Sequence, residues 1–388
     1  LAQTSTDGRF VVFSSMASNF IVGDGYGTSD IFVKDRETEE ITLISKSSEG
    51  VLGNNESYSS SISGDGRYVA FRSLANNLVR GDTNNSIDIF VHDRQTEQTV
   101  LVSKSTEGVQ GNDHSLSPSI SADGQIVVFV SLANNLVPND TNNAQDVFVH
   151  DQQTGETILV SKSSEGILGN NTSENPSISA DGRFVAFSSF ASNLTSGDAF
   201  NTSDVFVHDL LTGKTTLVSI STLGIQGNSY SSESSISAVG RYVAFGSSAS
   251  NLIDIDTNDT YDIFVHDRQT GQTILVSKSS EGVQGNGPSV NPSISAEGRV
   301  IAFYSAADNL VPGDNNNTGD IFIHDLETGQ TTLISQSSEG VIGNNYSYHP
   351  FISGNGRFVA FTSEANNLVS DDTNLLWDVF IHDRCLDG

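Results

Sequence analysis

Asp65-Gly66-Arg67-Tyr68-Val69-Ala70-Phe71 returns later in the chain as Asp181-Gly182-Arg183-Phe184-Val185-Ala186-Phe187. The glycine of this stretch falls at Gly8, Gly66, Gly124, Gly182, Gly240, Gly298 and Gly356, each step being 58 residues. A period of this length without insertion or deletion marks a repeat architecture in which every unit has the same geometric task. The repeat covers residues 1–388 without a linker, so the chain reads as one domain.

Within a unit the pattern is all-β. In the third unit Pro118–Ser121 reads as a short strand a, and Asp123-Gly124 as a two-residue hairpin turn. Ile126–Val130 is a continuous apolar run, strand b. A polar loop leads to Val147–His150, strand c, and the turn Asp151–Gly155 leads to Thr157–Ser161, strand d. No segment keeps a 3.6-residue apolar period, so no helix is expected. Strands b and c are apolar on both faces and need a sheet above and a sheet below. Seven four-stranded sheets packed in this way make a seven-bladed β-propeller, with a flat solenoid of sheets as the competitor.

The stretch Pro176-Ser177-Ile178-Ser179-Ala180-Asp181-Gly182-Arg183-Phe184-Val185-Ala186-Phe187, followed by Asp204-Val205-Phe206-Val207-His208-Asp209, resembles the TolB-type, WD-like β-propeller repeat. That repeat has a Ser-Pro-Asp-Gly turn, an Ile-Ala-Phe strand and an Ile-Tyr strand. This chain departs from it by lacking the proline before the turn and by its longer units. The resemblance implies the propeller fold and a binding or scaffolding role, but no particular ligand.

Lys and Arg number 18 against 47 Asp and Glu, a net charge of −29. Such a charge repels phosphate backbones and anionic lipid surfaces, and it attracts hard cations. No apolar run approaches the roughly 18 residues of a membrane span, so membrane insertion is not expected. The one cysteine, Cys385, excludes an internal disulfide framework. Together these features favour an extracellular, cell-surface or periplasmic location.

The a–b and c–d connections are short, whereas b–c and d–a are each about a dozen residues, which puts all the long loops on one face. In the b–c loop an Asp recurs at Asp24, Asp82, Asp140, Asp198, Asp256, Asp314 and Asp372. A second follows six residues later, at Asp30, Asp88, Asp146, Asp204, Asp262, Asp320 and Asp378. Between them stands Asn84, Asn142, Asn258, Asn316 or Asn374, but Tyr26 in unit one and Phe200 in unit four. Oxygen ligands at positions one, three and seven of a short loop can wrap Ca²⁺, with backbone carbonyls and water completing the shell. Units one and four, with Asp24, Asp30, Asp198 and Asp204, are the weaker sites. The competing reading is an Asx-turn that needs no metal.

A third Asp closes strand c at Asp35, Asp93, Asp151, Asp209, Asp267, Asp325 and Asp383 and reads as a turn-former. The histidine before it, at His92, His150, His208, His266, His324 and His382, reads as a residue packed between blades. Neighbouring copies would lie about 15 Å apart, too far to share a metal. His114 and His349 stand outside the pattern. Asn19, Asn77 and their equivalents read as partners for loop backbone. Unit seven stops before a strand d, so its blade is expected to have three strands and an open edge, which invites pairing with another chain, a second copy included.

No nucleophile elbow, zinc-protease helix motif or dinucleotide fingerprint is present. The expected function is therefore a non-enzymatic propeller that binds Ca²⁺ and presents its loop face to a protein or glycan partner. The alternatives are a lectin-like, glycan-binding propeller and a lactonase-type hydrolase with an axial metal. The near identity of the units favours repeated binding over a single active centre.

Overall fold

The computed structural model describes residues 2–21, 27–198, 200 and 202–386. Twenty-seven strands form seven antiparallel sheets, each with its strands in sequence order. Six sheets have four strands and, among the described residues, the seventh has three, so the fold is the seven-bladed propeller. Among the described residues the one helical element is a 3₁₀ turn, Arg384–Leu386. In blade two, strands a to d are Ser57–Ile62, Tyr68–Ser73, Asp88–Asp93 and Gln98–Leu101.

The double-sided apolar character of strands b and c has a direction. Phe71 on strand b lies opposite Phe90 on strand c, and the rings stack with centroids 5.9 Å apart. This aromatic face packs on Val12, Ile31, Val33 and Ile44 of blade one. The other face of blade two, Ala70, Ile89, Val91 and Val102, receives Phe129 and Phe148 of blade three. A bulky face thus meets a small or branched one at each interface, which favours close packing.

The a–b connection is longer than the two-residue turn expected of Asp-Gly. Ser63 N donates to Tyr68 O at 2.9 Å, closing a four-residue loop over residues 64–67. Asp65 accepts both the Ser63 hydroxyl at 2.7 Å and the Arg67 amide at 2.9 Å. The extra residues free the backbone of position 64 for the neighbouring blade, where Gly64 N donates to Ala122 O at 2.9 Å. Gly66 is fixed twice. Its φ is +75°, and a Cβ there would lie 2.2 Å from the Phe10 ring of blade one.

Strand a is longer than read from sequence. In blade three it spans Ser115–Ile120, and it carries a β-bulge at Ser117, whose φ is +52°. The same bulge recurs in the strands a of blades two and four to seven. It turns one side chain per blade toward the propeller axis.

Candidate functional site

The long b–c and d–a loops meet on one face, as their lengths suggested. Asn77 ties them together by donating to Leu52 O at 2.8 Å and accepting from Asn54 N at 2.9 Å. This is the backbone-satisfying role expected for that slot, and Asn135, Asn193, Asn251, Asn309 and Asn367 repeat it.

The paired aspartates lie together in this girdle. Asp88 is fully buried at the start of strand c and accepts the Ser103 hydroxyl at 2.5 Å. Gln110, from the d–a loop, donates through one amide nitrogen to Asp82 at 2.8 Å and to Asp88 at 2.9 Å. Gln226 bridges Asp198 and Asp204 in the same way, as Gln284 does Asp256 and Asp262. In blades two, four and five an amide therefore stands between the two carboxylates. This glutamine was not picked out from the sequence. Its signal was a slot that alternates Leu52, Gln110, Leu168, Gln226, Gln284, Ile342 in an otherwise regular loop.

Blades three and six lack that amide. Asp146 accepts Ser161 at 2.6 Å and Asn142 at 2.7 Å, and Asp320 accepts Ser335 at 2.6 Å and Asn316 at 2.7 Å. One oxygen of Asp140 is buried without a hydrogen-bond partner. Asn142 presents its nitrogen, not its oxygen, to Asp146, and it also donates to Gly169 O at 2.9 Å. The expected ligand at position three thus acts here as a donor that fixes the loop, while the carboxylate oxygens of positions one and seven remain the oxygen donors. In blade seven Asn374 donates to Asp378 at 3.0 Å, and Asp372 lies in the same loop. Asp30 accepts Ser45 at 2.6 Å, whereas Asp24 lies outside the described residues.

Burial acts on both members of the pair. It pushes Asp88, Asp146, Asp204 and Asp320 up to about 6, against the hydrogen bonds that oppose the shift. It raises Asp82, Asp140, Asp198, Asp314 and Asp262 as well. Two desolvated carboxylates in one loop favour whatever carries a compensating proton, donor or cation.

The other recurring residues are structural. Asp93 accepts the Gln95 amide at 2.9 Å, as a turn-former does, and it also holds Arg67 through two bonds of 2.8 and 2.6 Å. His92, His150, His208, His266 and His324 are buried, each with Nδ1 2.8–2.9 Å from a strand d threonine. Thr99 donates onward to Lys46 O at 2.6 Å, so its oxygen accepts, which places the His92 proton on Nδ1. These histidines link blades and do not converge on a common point.

The axis carries a second candidate. The bulge residues Ser59, Ser117, Asn175, Glu233, Asn291 and His349, all with φ between +47° and +55°, line a cavity of ≈ 440 Å³. Asn291 N donates to a Glu233 carboxylate oxygen at 2.7 Å, and burial raises the Glu233 pKa while lowering that of His349. The units that are nearly alike elsewhere are unlike in this ring, and His349, which the repeat pattern left without a role, sits in it. Trp377 and Leu376, by contrast, are exposed on the blade-seven loop.

No known family model matches the chain, and no curated protein does. Solved structures match it in fold. The β-propeller domain of the trilobed protease from Pyrococcus furiosus is 12% identical, covers 99% of this chain and 92% of its own, and has a TM-score of 0.61. Oligogalacturonate lyase from Vibrio parahaemolyticus is 13% identical over 98% of this chain and 88% of its own, with a TM-score of 0.58. A prolyl endopeptidase is 9% identical over 98% of this chain and 49% of its own, with a TM-score of 0.59. TolB from Agrobacterium tumefaciens also matches, at 14% identity over 92% of this chain and 99% of its own, but with a TM-score of 0.48. The matches with TM-scores above 0.5 show the propeller fold that the resemblance implied, and no family. The lyase and the endopeptidase correct the expectation of a non-enzymatic module. Enzymes carry this propeller, so missing catalytic motifs in the repeat do not exclude catalysis.

Proposed function

We propose that the protein is an exported binding propeller whose long-loop face holds divalent cations, Ca²⁺ foremost, in blades three and six, and presents these loops to a protein or glycan partner. The observation that carries the reading is the contrast between blades. Where Gln110, Gln226 or Gln284 is present, its amide compensates the paired carboxylates. Leu168 and Ile342 offer no donor in blades three and six, and an Asp140 oxygen is left buried and unsatisfied. Asp140 with Asp146, and Asp314 with Asp320, then supply carboxylate oxygens, and backbone carbonyls and water complete the shell that Ca²⁺ takes. The charge of −29 raises the local cation concentration.

Thermal unfolding in EDTA and in millimolar Ca²⁺ tests this. A site bound only in the folded state contributes about 2.7 kcal/mol at a hundredfold excess over its dissociation constant. The native chain should melt higher in Ca²⁺, and the Asp146→Asn, Asp320→Asn double variant should lose most of that rise. An unchanged melting temperature in the native chain would leave the Asx-turn reading standing.

The axial ring supports a second reading, a single small-ligand site, binding or catalytic, in which Glu233 and His349 supply the ionisable groups. Glu233 lies on strand a and belongs to none of the paired-aspartate loops, so Glu233→Gln should abolish axial binding while leaving the Ca²⁺ response intact.

A further inference from the structure

Three tyrosines converge on the boundary between blades six and seven. Tyr304, on strand b of blade six (Val300–Ser305), stacks on Tyr348, on strand a of blade seven (Ser347–Ile352). Their ring centroids are 4.6 Å apart and the planes lie 17° from parallel. Tyr346, just before that strand a, lies 5.9 Å from Tyr348 at 15°. Exposure rises along the array: Tyr304 is buried, Tyr348 is half-buried and Tyr346 is 42% exposed. The array borders the axial cavity, since the Tyr348 ring lies 6.2 Å from the imidazole of His349, a member of the axial ring.

Gly319 makes room for this array. No positive φ requires glycine there, but a Cβ would lie 2.1 Å from the Tyr304 hydroxyl. The same slot holds Ser29, Ile87, Gln145, Ser203 and Tyr261 in blades one to five, so the side chain is missing where Tyr304 needs the space. No other boundary carries the three tyrosines. Their slots hold Arg72, Leu116 and His114 between blades two and three, and Ser188, Ser232 and Tyr230 between blades four and five. Tyr230 meets Phe190 edge-on, at 66°, and forms no parallel stack with it.

The cavity beside the array has a matching chemistry. Its lining holds the hydroxyls and amides of Ser59, Ser117, Asn175 and Asn291 and the carboxylate of Glu233, and no lysine or arginine among the described residues. Pro118, Pro176, Pro292 and Pro350 follow four of the ring residues and fix the backbone there, so the polar groups are preorganised. Flat apolar faces beside such a ring suit a ligand with an apolar face and a polar edge. A nucleotide has that shape but is anionic, and so is a uronate. Neither finds a cation in this lining, and the net charge of −29 repels both. A neutral sugar has the shape without the charge. Its C–H face stacks on tyrosine, and its hydroxyls pair with serine, asparagine and glutamate.

We propose, resting on the axial reading above, that the cavity and the tyrosine array form one binding site for a neutral oligosaccharide. One end of the chain occupies the cavity among Asn175, Glu233 and Asn291, and the following sugar lies on Tyr346 and Tyr348.

The test is titration with cellotriose, maltotriose and mannotriose, followed by calorimetry and by the fluorescence of Trp377, whose ring lies 5.6 Å from that of Tyr348. At least one of these neutral trisaccharides should give a saturable response, and trigalacturonate should give none. Tyr346→Ala should melt as the native chain does and bind about tenfold more weakly, whereas Tyr346→Phe keeps the ring and should bind as the native chain does. No saturable response to any of the three at millimolar concentration, or equal binding of trigalacturonate, overturns the proposal. Two variants tell its failure from that of the axial reading. If Glu233→Gln abolishes binding and Tyr346→Ala leaves it unchanged, the axial site stands and the tyrosine platform fails. If Glu233→Gln leaves binding unchanged, the axial reading falls and the proposal falls with it.

Discussion

The backbone amide of Asn355 donates to the carbonyl of Thr6 at 3.1 Å, joining the last blade to the first. This bond closes a ring. Thr6 donates to Gly64, Gly64 to Ala122, Ala122 to Ala180, Asp181 to Ala238, Ala238 to Ala296 and Ala296 to Gly354, at 2.9–3.1 Å. The short-turn face is therefore a continuous hydrogen-bonded circle. Closure does not depend on a fourth strand in blade seven, and Arg36 adds to it by lying 4.3 Å over the Phe358 ring.

Hydrogen exchange should separate the ring from the open edge. The amides of Thr6 and Asn355 should be protected, while the outward amides of Asp378–Asp383 exchange faster than those of Asp262–Asp267 in blade five. Local opening follows hydrogen bonding and burial, and among the described residues the blade-seven strand has a main-chain ladder on one side and is half-buried throughout, whereas the blade-five strand is laddered on both sides and buried. Equal protection of the two strands would contradict this picture.

Two glycines of one motif should differ in their tolerance of a side chain. A Cβ at Gly66 would lie 2.2 Å from the Phe10 ring, but at Gly182 it would meet Ile126 at 3.1 Å. Both have positive φ, +75° and +72°, which costs about 1–2 kcal/mol for an L-residue. Gly182→Ala should cost about that much, and Gly66→Ala about 1–3 kcal/mol more because the ring must move. Urea midpoints of the two variants compare them directly.

This glycine shows what the sequence could disclose. Its ungapped recurrence marked a turn with one geometric duty, and the paired phenylalanines marked an inter-blade core, because a buried contact repeated seven times leaves the same residue type each time. The glutamine slot was harder to read. Gln110 acts on Asp82, 28 residues away, and alternates with leucine, so the loop motif looked uniform until the two loops were placed side by side. The axial ring was hidden for another reason. A bulge with positive φ at Ser59, Asn175 or Glu233 has no signature in residue type, and it breaks the strand a alternation from which an inward-facing position could have been read.

The acid response divides between two sets of buried groups with opposite signs. The five strand c histidines have pKa values lowered to about 4, chiefly by burial. As pH falls from 6.5 toward 4 the unfolded chain binds protons that the folded chain does not, and stability is lost. The four aspartates raised to about 6 do the reverse: the folded chain binds protons first, so stability is gained as pH falls through 6 toward 3.8. The two trends oppose each other over most of this window. His208→Asn keeps a donor for Thr215 and removes one of the histidine contributions, so it should lose less stability than the native chain between pH 6.5 and 4.5. Urea midpoints at the two pH values check the sign, and a greater loss in the variant would contradict it.

The role assigned to the glutamine slot makes cation binding exchangeable between blades, and calorimetric titration of the EDTA-treated chain with Ca²⁺ measures it most directly. Leu168→Gln with Ile342→Gln places an amide between Asp140 and Asp146 and between Asp314 and Asp320, as in blade two, and should abolish the binding heat of those blades. Gln110→Leu should add a site at Asp82 and Asp88 and raise the stoichiometry. If the native chain binds Ca²⁺ and neither exchange alters its stoichiometry or affinity, the cations sit elsewhere and the account of the long-loop face is wrong.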